Sequence, residues 1–403
     1  MLPSPGSKSN NYLNSFHNNI SEEERPLRFL VKTDALWYTG KPKGGTAVSA
    51  TVVLGMSGGV DSSVAALLLK EQGYHVIGVT LMLRGGRLAE GSGSGALRDI
   101  EDARRVCEAL RVEHRVLDLS DAFCRCVVDE FVEEYCRGRT PNPCVTCNRT
   151  IKFGALLEYA LTEGADYVAT GHYAHTAYDS VTGRWQLWKA DSAKDQSYVL
   201  YSLSQHQLSH TLFPLWGWEK EAVRALAREH RLPVADKGDS METCFVPDGG
   251  HAAFIEAYTG RIMRPGDFVD ETGRVLGRHQ GIGRYTIGQR KGLGIALGRP
   301  MYVVRLDTEK NRVILGEEGR QMASSLFASP VNFVSIAPPQ EPLVVEAKIR
   351  YQAPPAAALL TPLPDGTVRL VFENPQRSVT PGQAVVFYRG NLVLGGGTIQ
   401  ESA

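Results

Sequence analysis

Ala50-Thr51-Val52-Val53-Leu54 runs straight into Gly55-Met56-Ser57-Gly58-Gly59-Val60-Asp61-Ser62-Ser63, after which Val64, Leu67, Leu68 and Leu69 recur at helical spacing up to Gln72. A short apolar run, a glycine-rich turn and an amphipathic segment predict strand, loop and helix. The same alternation continues outward. His75 to Leu83 reads as a second strand, Asp99 to Leu110 as a helix and Glu113 to Leu117 as a third strand. Further on, Ile151 to Thr162 reads as a helix, Tyr167 to Thr170 as a strand ending at Gly171-His172, and Trp218 to His230 as a helix. Strands alternating with helices predict an α/β fold with a Rossmann-like parallel sheet, whose ligands sit beyond the carboxyl ends of the strands.

With 403 residues, 43% of them hydrophobic, the chain can build two or three domains with cores of their own. Residues 1–50 are rich in Ser, Asn, Gly and Pro and are expected to form a poorly ordered extension. The first twenty lack acids, as an organelle signal would, but also lack its arginines. Residues 51–247 make the expected α/β domain. Beyond Pro247 short alternating segments are broken by Asp270-Glu271-Thr272-Gly273, Pro364-Asp365-Gly366 and Pro381-Gly382. That spacing predicts a small central domain over 248–320 and a C-terminal β-barrel over 321–403. The longest apolar run, near Thr46 to Met56, is far shorter than the roughly 18 residues of a membrane span, so no membrane is expected.

Charge and thiols narrow the class. Lys+Arg and Asp+Glu number 44 each, so a nucleic-acid surface would have to be local. Between Arg261 and Arg305 nine Lys+Arg stand against three acids, with His279 and Tyr285 as candidate phosphate or stacking contacts. The seven cysteines are odd in number and clustered, which suits thiol chemistry or metal ligation in a reducing, cytoplasmic compartment.

Gly55 to Ser63 is a candidate anion cradle, because glycines let backbone N–H groups and a helix N-terminus approach phosphates. It lacks the lysine of a Walker A loop and the spacing of the dinucleotide fingerprint. Thr140-Pro141-Asn142-Pro143-Cys144-Val145-Thr146-Cys147-Asn148 places two thiols in C-x2-C spacing just before the helix expected from Ile151. The prolines are expected to hold this loop extended, and the helix N-terminus to favour the thiolate, making Cys147 a candidate nucleophile. Cys244, in Asp239 to Phe245, is a third candidate; Cys107, Cys124, Cys126 and Cys136 fall in amphipathic stretches and read as packing residues. A zinc ribbon would need a second ligand pair. Three cysteines from two segments can instead act as nucleophile and resolving thiol through a persulfide, or anchor an iron–sulfur cluster.

Ser57 to Ser62 looks like the PP-loop of enzymes that cleave ATP to AMP and pyrophosphate. With Pro141 to Phe153, Thr170 to Tyr173, Lys194 to Tyr198, Glu242 to Phe245, Tyr285 to Leu293 and Arg350-Tyr351, the chain from about residue 51 onward resembles the tRNA-specific 2-thiouridylases of bacterial and organellar type. The resemblance implies adenylation of the C2 oxygen of the wobble uridine of tRNA, then sulfur transfer, with ATP and Mg2+ as cofactors. It implies ATP binding by Gly55, Met56, Ser57, Gly58, Gly59, Val60, Asp61 and Ser62, helped by Leu81, Met82 and Gly171. Cys147 matches the attacking cysteine and Cys244 the persulfide carrier. Asn142, Pro143 and Cys144 match positions facing the target base, while His172, Lys194, Asp195, Gln196, Arg350, Tyr351 and Gln383 match tRNA contacts. Many family members have Asp where this chain has Cys144, and a thiol replaces that carboxylate poorly near neutral pH. The third thiol points to a variant subset in which Cys144, Cys147 and Cys244 could hold a [4Fe-4S] cluster. Implied partners are tRNA and a sulfur donor, either a sulfur-relay protein, a cysteine desulfurase or sulfide, with the enzyme acting as a monomer or on tRNA. Another PP-loop adenylating synthetase, or a non-catalytic RNA-binding iron–sulfur protein, are the alternatives.

Overall fold

Val52, Val53 and Leu54 of β1 (Thr51–Gly55) are buried on both faces, and β1 forms the middle of a parallel sheet. The computed structural model describes residues 50–85, 88, 95–238, 243–247 and 250–402. The extension expected over 1–50 therefore lies almost wholly outside the described residues, as do 239–242 of the Cys244 segment. β1 feeds α1 (Val60–Glu71), followed by β2 (His75–Met82), α2 (Gly95–Leu110) and β3 (Glu113–Asp118). Helical turns α3 (Ser120–Phe123), α4 (Asp129–Cys136), α5 (Pro143–Cys147) and α6 (Leu156–Thr162) then lead to β4 (Tyr167–Ala169).

A hairpin of β5 (Ala174–Asp179) and β6 (Arg184–Lys189), then α7 (Gln205–Ser209), β7 (Thr211–Leu212) and α8 (Lys220–Glu229), complete this part. The sheet order is β3-β2-β1-β4-β7, all parallel. The order reverses direction at β1 and β4, so their carboxyl ends flank the crevice where such sheets bind ligands.

α9 (Gly250–Thr259) precedes β8 (Gly266–Asp270), β9 (Val275–His279), β10 (Tyr302–Asp307) and β11 (Arg312–Gly316), a four-stranded sheet ordered β10-β11-β8-β9. The C-terminal strands are β12 (Met322–Asn332), β13 (Leu343–Lys348), β14 (Ala356–Pro362), β15 (Val368–Arg377), β16 (Ala384–Arg389) and β17 (Leu392–Ser402). Pairing of β12 with both β15 and β17 closes these six into a barrel around Leu326, Leu360, Leu370, Val385, Phe387 and Leu394. The fold is thus the expected one, a Rossmann-like parallel sheet followed by a middle part and a β-barrel.

Three differences have physical causes. The helix expected from Ile151 starts at Pro143, which stands at N1, where its missing N–H costs no hydrogen bond. From α5 to α6 the chain is continuously helical, with Asn148–Ala155 wound as a π-helix. The β5–β6 hairpin was not anticipated; it leaves the α/β part and pairs Leu187 and Trp188 with β17, extending the barrel sheet. Its alternating strands around Thr182-Gly183 are short, and β6 finds its second partner only in β17 of the distant barrel. Finally, His279 and Tyr285 are core residues, 1% and 6% exposed, packed edge-on against Phe268. They cannot stack on a base. The basic stretch is also partly neutralised, since Arg274, Arg278, Arg284 and Arg299 form ion pairs with Asp270, Asp267, Glu256 and Glu317.

Candidate active site

The glycine-rich loop closes over the end of β1. Gly58 adopts φ +69°, and a Cβ there would lie 2.3 Å from the Asp99 carbonyl oxygen on α2. Only glycine permits that turn and that approach. Gly59 caps α1 in extended geometry, and its carbonyl accepts from the Ser62 and Ser63 hydroxyls at 3.1 and 2.8 Å. Ser57 Oγ and Ser62 Oγ lie 3.1 Å apart, and Ser62 Oγ also accepts from the Ser57 N–H at 3.2 Å. Met56, just before, donates its N–H to Val79 O of β2 at 2.8 Å, and Leu81 and Met82 end that strand beside it. At the end of β4, a Cβ on Gly171 would stand 2.8 Å from the Asp61 carbonyl carbon and the Ser62 nitrogen. The backbones of α2 and of the turn after β4 thus pack directly against the loop at positions where no side chain fits, which fixes the helix N-terminus that would face a polyphosphate.

Charges brace this loop from behind. The Lys220 side chain, on the first turn of α8, is 8% exposed and donates to both Asp61 carboxylate oxygens at 2.8 Å; Tyr173 OH donates to Asp61 Oδ1 at 2.8 Å. Lys237 Nζ donates to Gly58 O at 3.0 Å, Asp99 Oδ1 at 2.9 Å and Asp102 Oδ2 at 2.7 Å. Burial works against the Lys237 charge, but the two carboxylates outweigh it and its pKa is raised. Lys220, Lys237 and Tyr173 were not singled out in the sequence. Nothing local marks a lysine 159 residues from its partner.

The thiols sit in different surroundings. Cys144, not Cys147, occupies the first turn of α5 and is exposed; Cys147 ends that turn, buried among Phe123, Phe131, Ile151 and Phe245. Burial pushes the Cys147 thiol up to about 12, with Lys152 opposing and Cys244 and Cys144 adding to the rise. The expected helix-terminus activation of Cys147 is therefore absent, because the helix begins four residues earlier. Cys244 exposes surface to solvent, yet enough protein surrounds its sulfur that burial raises its pKa, with Lys152 and Arg84 opposing. Phe245 anchors that segment edge-on to Phe123 and Phe131. Buried Cys107 beneath Gly78 is pushed up to about 11 by burial alone, and Cys124 is a core residue, whereas Cys126 and Cys136 are exposed.

His172, next to Gly171, is buried against Phe153 and Phe213 and bonded to Thr170 Oγ1 at 2.7 Å; burial, with the Lys152 charge adding, holds its pKa well below the usual range. Lys152 thus feels His172, Cys147 and Cys244 together. A neutral, buried His172 offers no cation to a phosphate. Asp195 accepts from the Ala190 and Ser197 N–H groups, and Gln196 from the Tyr173 N–H, so both shape the loop that presents exposed Lys194. Gln383 donates to Thr140 O and Pro141 O, tying the barrel to the Asn142-Pro143-Cys144 segment. A cavity of about 390 Å³ opens there, lined by Thr140, Gln289, Arg350 and Gln383; Tyr351 is 39% exposed nearby.

ATP and Mg2+ suit the loop: Gly55 to Ser62 would cradle the phosphates, and Asp61, whose carboxylate already accepts from Lys220 and Tyr173, is the loop's own acid for the ion. A [4Fe-4S] cluster does not fit equally well. Among the described residues no three His, Cys, Asp or Glu side chains are placed to hold a metal ion.

A parallel α/β sheet carrying this loop at its reversal point defines a PP-loop, ATP-utilising protein. Family models described as the tRNA methyl transferase HUP domain, PRC-barrel domain and the aminomethyltransferase β-barrel domain match residues 50–248, 252–317 and 323–399. Proteins named tRNA-specific 2-thiouridylase MnmA are 52% identical over 87% of this chain and 99% of the relative in Acetivibrio thermocellus, and 51% over 87% and 92% in Heliobacterium modesticaldum. The relative in Clostridium perfringens is 50% identical over 87% and 98%. The chain belongs to this tRNA-specific 2-thiouridylase family.

Proposed function

We propose that this protein is a tRNA-uridine 2-sulfurtransferase acting on the wobble uridine, with residues 51–247 as catalytic domain and 248–320 and 321–403 completing the tRNA-binding surface. What carries the reading is the phosphate loop, packed so closely by Gly171 that a Cβ has no room, in one α/β part with Cys144 and Cys147 on α5. The methyl transfer named in the family-model descriptions would need no phosphate cradle beside two thiols.

The chemistry divides accordingly. The uridine O2 attacks the α-phosphate of ATP and pyrophosphate leaves, its charge met by the loop N–H groups; a magnesium ion held by Asp61 would neutralise part of that charge. The terminal sulfur of a Cys244 persulfide then bonds to C2, and AMP leaves with the oxygen. Cys147, once deprotonated, attacks the Cys244 sulfur; the S–S bond breaks, 2-thiouridine departs and a Cys147–Cys244 disulfide remains for a reductant to reopen. The donor that loads Cys244 is a sulfur-relay protein or a cysteine desulfurase, each handing over persulfide sulfur, or sulfide that opens the Cys147–Cys244 disulfide, which supplies the two oxidising equivalents and leaves Cys147 as a thiol. The base must leave its stack to reach this site, and Asn142, Pro143 and Cys144 are the residues assigned to meet it. Among the described residues no helix is long and apolar enough to cross a membrane, and free thiols suit the cytoplasm.

The test is nucleoside mass analysis of tRNA incubated with ATP, a sulfur source and the protein. Formation of 2-thiouridine with one AMP per sulfur is expected; AMP without thiolation would favour a synthetase forming another bond.

A further inference from the structure

Neither Gly58 nor Gly59 has a side chain to hinder rotation of the peptide between them, so its orientation depends on the partners that hold it. Its orientation matters, because a trans peptide points its C=O and N–H to opposite sides. Lys237 Nζ holds the Gly58 carbonyl at 3.0 Å on the side of α2, where Asp99 and Asp102 fix the ammonium. The Gly59 N–H consequently faces the other way, toward Ser57 Oγ at 3.4 Å, a long contact on the hydroxyl-lined inside of the loop. The lysine is itself held, its carbonyl accepting from Arg224 Nη1 at 2.9 Å. Arg224 lies four residues after Lys220 on α8, on the same face, so one helix grips the loop at Asp61 directly and at Gly58 through Lys237.

We propose that Lys237 is a positioning residue for ATP cleavage: by fixing the Gly58 carbonyl outward, it aims the Gly59 N–H at the phosphates that leave as pyrophosphate. This rests on the reading that the loop takes the phosphates of ATP. A preset donor is ready when charge develops on the leaving group, whereas a freely rotating Gly-Gly peptide must first be oriented.

The experiment compares Lys237→Met and Lys237→Arg with the unsubstituted protein, measuring binding of pyrophosphate and of AMP by calorimetry alongside ATP turnover with tRNA. Lys237→Met is expected to weaken pyrophosphate binding about tenfold, part of the loss expected for deleting such a donor, with AMP binding unchanged. Lys237→Arg should recover most of it. Should Lys237→Met fail to fold, Asp102→Asn, which removes one anchor of the ammonium, is expected to weaken pyrophosphate binding two- to threefold, about the value of one hydrogen bond. Equal losses for pyrophosphate and AMP, or no loss in a folded variant, would overturn the proposal. If the unsubstituted protein released no AMP with tRNA, the adenylation reading would fall, and the pyrophosphate comparison would still decide the role of Lys237.

Discussion

At the nucleotide end of the site, hydrogen bonds from distant elements hold the loop: Lys220 of α8 and Tyr173 after β4 on the Asp61 carboxylate, and Lys237, itself bonded to Asp99 of α2, on the Gly58 carbonyl. At the sulfur end, Cys147 is held by apolar packing, protonated, and shielded by Phe245. The first arrangement is held by polar partners, whereas at the second Cys147 would have to be exposed and deprotonated in order to react. An adenylating loop gains from rigidity because its task is to meet charge without reorganising. A thiol that must act once, after sulfur has been delivered, is safer buried until then.

The sharpest way to break this comparison is to remove one end alone. Cys147→Ser and Cys244→Ser are each expected to lower 2-thiouridine formation by at least about a thousandfold, as loss of a covalent nucleophile does, while tRNA-dependent AMP release persists. Product from either variant, by mass analysis, would dissolve the division. Asp61→Ala attacks the other end. It strands the buried Lys220 ammonium without its carboxylate, and denaturant unfolding should show a loss of about 3 kcal/mol together with loss of AMP release.

Thiol reactivity measures how closed the sulfur end is. With a pKa near 12, Cys147 is thiolate in about one molecule in ten thousand at pH 8, and that fraction rises tenfold per pH unit. Alkylation followed by peptide mass analysis should therefore modify exposed Cys126, Cys136 and Cys144 before Cys147, whose rate should still climb from pH 8 to 10. Adding tRNA and a non-cleavable ATP analogue should raise the Cys147 rate; no change would mean the thiol is not prepared by substrate. The smallest expected effect is at the seam: Gln383→Ala removes two bonds to the Thr140-Pro141 backbone, costing about 1–2 kcal/mol and weakening tRNA binding more than ATP binding.

How much of this was legible depends on distance along the chain. β1, the loop and α1 are contiguous, so their apolar spacing and glycines announced themselves, and β2, β3 and β4 followed with ends shifted by a residue or two. The start of the Cys147 helix was misplaced because Pro143 reads equally as a loop residue and as N1. Tyr285 and His279 looked like RNA contacts because a basic stretch surrounds them, yet packing against Phe268 puts both inside.

Local order along the chain thus determined the α/β class, the phosphate loop and the candidate thiols, since each is written in neighbouring residues whose φ preferences and apolar spacing act locally. Which lysines brace the loop, which thiol is buried, and that a hairpin crosses to the barrel were decided only in three dimensions. Those outcomes depend on desolvation and on partners more than a hundred residues away, and neither leaves a mark at the residue itself.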